Sequence, residues 1–328
     1  MGCSVFSSEI CTRHNHPNHP ESQERLEWAL SGIPSSFRRR NPVTAGSGEI
    51  QRVHLPRYIS MISSSCSQCP KGSIRFLDPD TYITRDSYEV ACCAAGSAIA
   101  AMERTLDGEH AFSLMRPPGH HAMPTHAMGF CIFNNIAIAA AAALTQVDRA
   151  AIIDWDVHHG NGTHSMFYHS ERLLYCSVHQ EGHFPGTGHP WERGSGQGEG
   201  YTVNAPLGAG AGIADYGLVF SEIFAPLLER YHPEVVLISA GQDALYDDIL
   251  GNMRLFPQDF GILTGMVLDA VEVPLGFILE GGYSPSQGEA LSSVIAALRG
   301  KREPWDPTAA RASTRKLVAL LGASEEKS

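Results

Sequence analysis

Five short apolar runs in this chain each end in a cluster of chemically capable residues, and that recurrence limits the fold more than any other feature. Ala111-Phe-Ser-Leu-Met115 runs into Arg116-Pro-Pro-Gly-His-His121. Ala150-Ala-Ile-Ile153 runs into Asp154-Trp-Asp-Val-His-His-Gly-Asn161. Leu173-Leu-Tyr-Cys176 leads to Ser177-Val-His179, Val235-Val-Leu-Ile238 to Ser239-Ala-Gly-Gln-Asp243, and Leu275-Gly-Phe-Ile-Leu279 to Glu280-Gly-Gly-Tyr283. Unbroken apolar runs of this length, bounded by turn residues, read as strands buried on both faces, as parallel sheets require. Helical patterns lie between them over 134–144, 215–231 with a kink at Pro226, 257–271 and 289–299. Strand and helix in alternation predict an α/β fold: one parallel sheet with helices on both faces and the site beyond the strands' carboxyl ends.

The flanking segments are less informative. Residues 1–42 are polar and rich in His and Pro, with a helix-like stretch over 20–30. Residues 63–71 read as a loop, and 314–321 as a short surface helix before a frayed acidic tail. No Pro/Gly/Ser linker or internal repeat divides the chain, so a single domain over 1–328 is expected.

Charge and apolar content exclude several functions. A formal net charge of −11 argues against a nucleic-acid binder, which would need a basic face for phosphate, so no direct nucleic-acid partner is expected, whereas a cationic substrate would be attracted. The longest apolar run, 136–144, falls short of the ~18 residues a membrane helix needs, and no secretory signal is visible. Gly2 suggests myristoylation, but Phe6 stands where that motif has Ser or Thr. A soluble, cytoplasmic protein is expected, with its eight cysteines reduced. Cys66 and Cys69 have CxxC spacing but no second pair to complete a zinc site. The glycines at 194–200 and 208–212 lack dinucleotide-binding register, and neither a P-loop nor a GxSxG elbow occurs.

The histidines cluster, and the clusters carry the chemistry. If the run stays extended, Asp156 and His158 point to one face, where a carboxylate and an imidazole can share a metal ion. Asp243, after another strand, is a third donor, and an Asp/His/Asp set with an open position suits zinc or iron(II). Alternatively, both aspartates cap helices and His158 packs in the core. His120 and His121 follow a Pro-Pro-Gly turn. Asp154 and Asn161 could each take one imidazole N–H, and the negative partner would make its histidine the more basic. Tyr283, after paired glycines, can present its hydroxyl to a polarised carbonyl. Metal-activated water therefore fits better than a covalent nucleophile.

Together with His19-Pro-Glu-Ser-Gln-Glu-Arg25-Leu, Gly129-Phe-Cys-Ile-Phe-Asn-Asn135 and Phe184-Pro-Gly-Thr-Gly188, these strings resemble the zinc-dependent histone deacetylase family, including the acetylpolyamine amidohydrolases. They stand in family order across about 14–300. The resemblance implies an arginase/deacetylase fold, one catalytic zinc on Asp156, His158 and Asp243, and a His120/His121 acid–base pair backed by Asp154 and Asn161. It also implies Tyr283 as oxyanion stabiliser, an acyl-lysine tunnel along Gly129, Phe130, Phe184 and Leu250, and Arg25 beside an inner acetate channel.

A structural potassium ion is implied on Asp154, Ser177 and the carbonyls of Asp156, His158 and Val178, and a second on Phe167, Ser170, Leu173 and Tyr216. Asn161 and Trp155 resemble the class II and bacterial branch. Leu250, seven residues after Asp243, resembles the acyl-lysine branch rather than the polyamine branch. Gln242 departs from the family, standing where Phe is usual. The expected partner is an acetyl-lysine protein or peptide, or else an acetylated polyamine, with oligomeric state open. A dinuclear manganese hydrolase on the same fold would need further Asp and His ligands where His120 and Asn161 stand. A non-catalytic acyl-lysine binding module would be expected to lack one of the groups present here.

Overall fold

The computed structural model describes residues 3–325; Gly2 and the tail from Glu326 onward lie outside the described residues. In chain order the strands are β1 (Cys3–Phe6), β2 (Arg38–Arg40), β3 (Arg75–Phe76), β4 (Tyr82–Ile83), β5 (His110–Ser113), β6 (Ala150–Asp154), β7 (Leu173–Gln180), β8 (Thr202–Leu207), β9 (Val235–Ala240) and β10 (Leu275–Leu279). The helices are α1 (Glu24–Ser31), α2 (Ser47–Ile50), α3 (Pro56–Ser67), α4 (Ser87–Leu106), α5 (Asn135–Ala143), α6 (Asn161–Phe167), α7 (Ile213–Val219), α8 (Ala225–Tyr231), α9 (Pro257–Ala270), α10 (Gln287–Leu298) and α11 (Ala312–Glu325).

Eight strands form one sheet in the order β2-β1-β5-β10-β9-β6-β7-β8, and every pairing in it is parallel. The five runs picked from the sequence are β5, β6, β7, β9 and β10, and they sit side by side in the middle. Alternate residues feed two cores. Ala151, Ile153, Val236 and Ile238 join one apolar cluster, while Ala150, Ile152, Val235 and Leu237 join the other. Both faces are covered by helices, which is why the strands read as continuous apolar runs.

The strand order reverses between β6 and β9: the chain leaves β6 outward through β7 and β8, then returns to pair β9 with β6 on its other edge. Ligands of open α/β sheets bind at such a switch point. Asp154 stands opposite both Ser177 and Ser239, so the neighbouring strands end level and deliver their following loops to one place.

Several expectations need correction. The segment 63–71 is not a loop throughout, because α3 runs to Ser67, held by the buried stripe Tyr58, Ile59, Ile62 and Cys66 at helical spacing. The longest helix, α4, was not anticipated; it is built of small residues buried on nearly every side and so has no clear apolar stripe. The 215–231 helix is interrupted by a π-turn over Phe220–Phe224, with Pro226 in the first turn of α8. β1, β2 and β8 were also missed. β2 is three arginines at one sheet edge, and Pro206 in β8 is tolerated because that strand is the other edge. Among the described residues no helix is long and apolar enough to cross a membrane. All eight cysteines are free thiols, Cys66 and Cys69 included.

Candidate active site and metal centre

The residues after β6 are not extended, as the sequence reading assumed. The strand stops at Asp154, and Asp156–His158 form a bend. Asp156 Oδ1 accepts the backbone N–H of His158 at 2.9 Å and faces that residue's Nδ1 at 3.1 Å. A side-chain turn, not strand alternation, therefore sets both groups on one side. Asp243, after β9, completes the set, its Oδ2 lying 3.1 Å from His158 Nδ1. One donor atom from each of Asp156, His158 and Asp243 falls within 4.8 Å of the others, the single such cluster of three among the described residues.

The two carboxylates are oriented by backbone donors: Gly281 N–H to Asp156 Oδ2 at 2.8 Å, and Val157 N–H to Asp243 Oδ1 at 2.8 Å. Neither pairs with a Lys or Arg among the described residues, and both are fully buried. Burial works against a charged imidazole at His158, yet the paired carboxylates overcome it and hold its pKa at about 10. Two buried carboxylates thus demand positive charge at this point. Two oxygen donors and one imidazole are a mixed set that suits a divalent cation such as zinc.

The tandem histidines arrive from the loop after β5. His120 Nδ1–H donates to Asp154 Oδ2 at 3.1 Å, and its Nε2 lies 3.7 Å from Asp156 Oδ1. Burial pushes His120 down, but Asp156 and Asp154 outweigh it and raise the pKa to about 10. His121 Nδ1–H donates to Asn161 Oδ1 at 2.8 Å. The Asn161 amide is itself fixed by contacts of its Nδ2 with the sulfurs of Met123 and Met128, both at 3.3 Å. Burial and the neighbouring His120 and His158 hold His121 well below the ordinary histidine value, so its ring is neutral with Nε2 free to accept a proton. The two rings are 4.0 Å apart between centroids. One carboxylate and one carboxamide partner therefore divide adjacent histidines into a cation and a base.

Tyr283 follows β10 through Gly281-Gly282, and burial holds its phenol protonated as a donor. A cavity of about 220 Å³ joins these groups, lined among others by Gly129, Phe130, Phe184, Leu250, His121 and Tyr283. Phe130 has a left-handed backbone with φ 67°, an uncommon state for an aromatic residue, and its N–H is tied to Thr81 Oγ1 at 3.0 Å. Its ring meets that of Tyr283 at 5.9 Å in an edge-on arrangement.

Other expected residues fall elsewhere. Arg25 does not line this cavity. Buried beneath Tyr283, it donates from Nε to Gly282 O at 2.7 Å, from Nη1 to Glu21 Oε1 at 3.1 Å and from Nη2 to Glu280 O, and its guanidinium stands 4.5 Å over the Tyr283 ring. Of the residues expected around a second potassium ion, Tyr216 packs in the core on one sheet face, and Phe167 and Leu173 in the core on the other. Asp154 and Ser177 are register partners, and Ser177 Oγ lies 2.9 Å from His179 Nδ1.

Three site residues escaped the sequence reading. His183 stacks on His158 at 5.0 Å and lines the cavity; it directly precedes Phe184 in a motif already singled out. Asp80 lines the cavity as well, from a segment that carried no motif. Glu280 was seen only as the start of a turn, yet its Oε2 accepts the N–H groups of Gly119 at 2.6 Å and His120 at 3.0 Å, joining the histidine loop to the tyrosine loop.

Comparison with known proteins agrees with this geometry. Residues 19–298 match the histone deacetylase domain family. The chain is 37% identical over 333 residues to a probable deacetylase of Archaeoglobus fulgidus, covering 97% of this chain and 90% of that protein. It is 40% identical over 303 residues to a histone deacetylase-like amidohydrolase of Pseudomonas aeruginosa, covering 87% and 79%. The crystal structure of the HDA15 HD domain superposes with a TM-score of 0.94 at 32% identity, over 100% of this chain and 96% of that one. Having the arginase/deacetylase architecture and this match along most of its length, the chain belongs to the histone deacetylase family, whose members are amidohydrolases that are generally zinc-dependent.

Proposed function

We propose that the chain acts as one zinc-dependent deacetylase domain that hydrolyses the ε-amide of acetyl-lysine, or of a short acyl-lysine, in a protein or peptide. The observation that carries this reading is the meeting, in one narrow apolar-walled cavity, of the Asp156/His158/Asp243 donors, a neutral His121 with a free Nε2, and the Tyr283 hydroxyl. Asp156, His158 and Asp243 would hold the zinc, which supplies a Lewis acid that polarises the amide carbonyl and acidifies water.

The chain's own residues do the rest. His121 Nε2 takes the proton of the attacking water as its oxygen bonds to the carbonyl carbon, a step for which a positioned base is worth about 10²–10⁴ in rate. His120 stays cationic, held by Asp154, and so keeps the adjacent ring from being protonated beforehand. Tyr283 donates its hydroxyl to the carbonyl oxygen as negative charge develops there. His121 then returns the proton to the departing nitrogen while the C–N bond breaks. Phe130 and Phe184 flank the alkyl stem and keep water from it.

Acetylated polyamines are the second reading, favoured by the Asp80 carboxylate on the cavity wall and the net charge of −11. Leu250 on the same wall offers a second amine nothing to pair with. The test compares kcat/KM of the zinc form on acetyl-lysine peptides, longer acyl-lysines and acetylated polyamines, for the wild type and for Tyr283→Phe. Acetyl-lysine should be preferred, and the variant should keep its metal but lose about 10²–10³ in kcat, the usual loss for one oxyanion donor. Undiminished turnover by Tyr283→Phe would refute the mechanism, and a preference for polyamines would refute the substrate.

A further inference from the structure

The loop after Asp243 carries two consecutive carboxylates that the mechanism above does not use. Asp248 is buried, and its two oxygens serve two different loops. Oδ2 accepts the backbone N–H of Tyr283 at 2.6 Å, and Oδ1 accepts that of Leu250 at 2.9 Å. Asp247 beside it accepts the hydroxyls of Ser284 at 2.9 Å and Ser286 at 2.6 Å. The pair thereby clasps the segment that bears Tyr283.

That segment needs an external hold. β10 ends at Leu279, and the backbone bonds to the β9 segment go no further than Gly281, whose carbonyl accepts the Gln242 N–H at 2.9 Å. Gly282 has φ 126°, a backbone state open mainly to glycine, so the link into Tyr283 is intrinsically deformable. Gly281 is fastened to Asp156 and Gly282 to Arg25, while the N–H of Tyr283 itself is fastened only to Asp248. Bonds from N–H to a carboxylate are stronger than neutral ones, and a carboxylate accepts at both oxygens.

We propose that Asp248 is a positioning residue: by holding the Tyr283 N–H on one oxygen and the Leu250 N–H on the other, it sets the Tyr283 hydroxyl against the substrate carbonyl. This inference rests on the deacetylase reading. Asp248→Asn preserves shape but places an NH₂ group against one of the two N–H donors, so one bond is lost whichever way the amide turns.

The test is a double-mutant cycle on the zinc-loaded full chain with an acetyl-lysine peptide, combined with amide hydrogen exchange. Asp248→Asn should lower kcat tenfold or more at unchanged metal content. Added to Tyr283→Phe it should lower kcat less than twofold further, because the hydroxyl it places is already gone. Exchange should quicken in 249–251 and 282–286. The longer Asp248→Glu, which keeps the charge but moves the acceptor, is the second variant and carries the same expectations should the first not fold. Undiminished kcat, losses that multiply with that of Tyr283→Phe, or unchanged exchange in both segments would overturn the inference. A wild-type chain without turnover would count against the deacetylase reading alone, and the exchange measurement would then decide whether the clasp exists.

Discussion

Gly281 is the position where one methyl group should separate metal binding from folding. Its N–H donates to Asp156 Oδ2, and its α-carbon faces the other carboxylate. A Cβ built there would stand 2.6 Å from both Asp156 Oδ2 and Asp243 Cγ, and closer still to Asp243 Oδ2, where ordinary contact begins at 3.4 Å. Asp156 Oδ2 must therefore retreat by about 0.8 Å and Asp243 Oδ2 by more, beyond the ~0.5 Å within which a functional constellation has to be held. Displacements of about 1 Å cost on the order of 10²-fold in rate, or about 2.7 kcal/mol of barrier.

Gly281→Ala should thus lose about 10²-fold in kcat/KM and bind zinc more weakly, while its circular dichroism and melting profile stay close to wild type. The control is Gly48→Ala, where a Cβ meets nothing within 4 Å. Zinc affinity is measured by competition with a chromogenic chelator, and activity on an acetyl-lysine peptide. Wild-type affinity together with wild-type turnover in Gly281→Ala would refute the assignment of these carboxylates as the metal's holders.

Gln242 is fully buried, and neither amide atom finds a protein partner. An unpaired buried amide costs about 1–3 kcal/mol, so the similarly shaped Gln242→Met should be more stable by that order in urea unfolding, and a loss of stability would refute the reasoning. His54 is held neutral by burial, with its pKa lowered to about 4; Nδ1–H donates to Met123 O and Nε2 accepts the Asn134 N–H. The unfolded chain, with a histidine pKa near ~6.5, binds the proton first, so the stability present above about pH 6.5 should fall by up to about 3 kcal/mol as the pH drops towards 4. His54→Gln should flatten that slope over the same interval; an unchanged slope would show that other groups carry it.

Much of the site was legible because its residues sit at strand ends, and strand ends are marked in sequence by where an apolar run stops. Asp154, Asp156, His158, Asp243 and Tyr283 all follow such stops, and the family strings then assigned their roles by resemblance. The edge strands were not legible: β2 is an exposed run of arginines, β8 is buried but interrupts its apolar residues with Thr, Asn and Pro, and α4 buries so much that it shows no periodicity. The sheet puts Tyr216 on one face and Phe167 and Leu173 on the other, a distinction that chain order does not carry.

The residues alone determined that there would be a buried parallel sheet with two carboxylates, several imidazoles and a phenol at its carboxyl edge. Alternation of apolar runs and turns is a local property, decided by which side chains can leave water. Only the tertiary structure decided that β6 and β9 are neighbours, that a bend rather than a strand aims His158, and that Asp248 reaches across 35 positions to hold Tyr283. Such contacts depend on strand order and on backbone donors, which every residue type but proline carries alike.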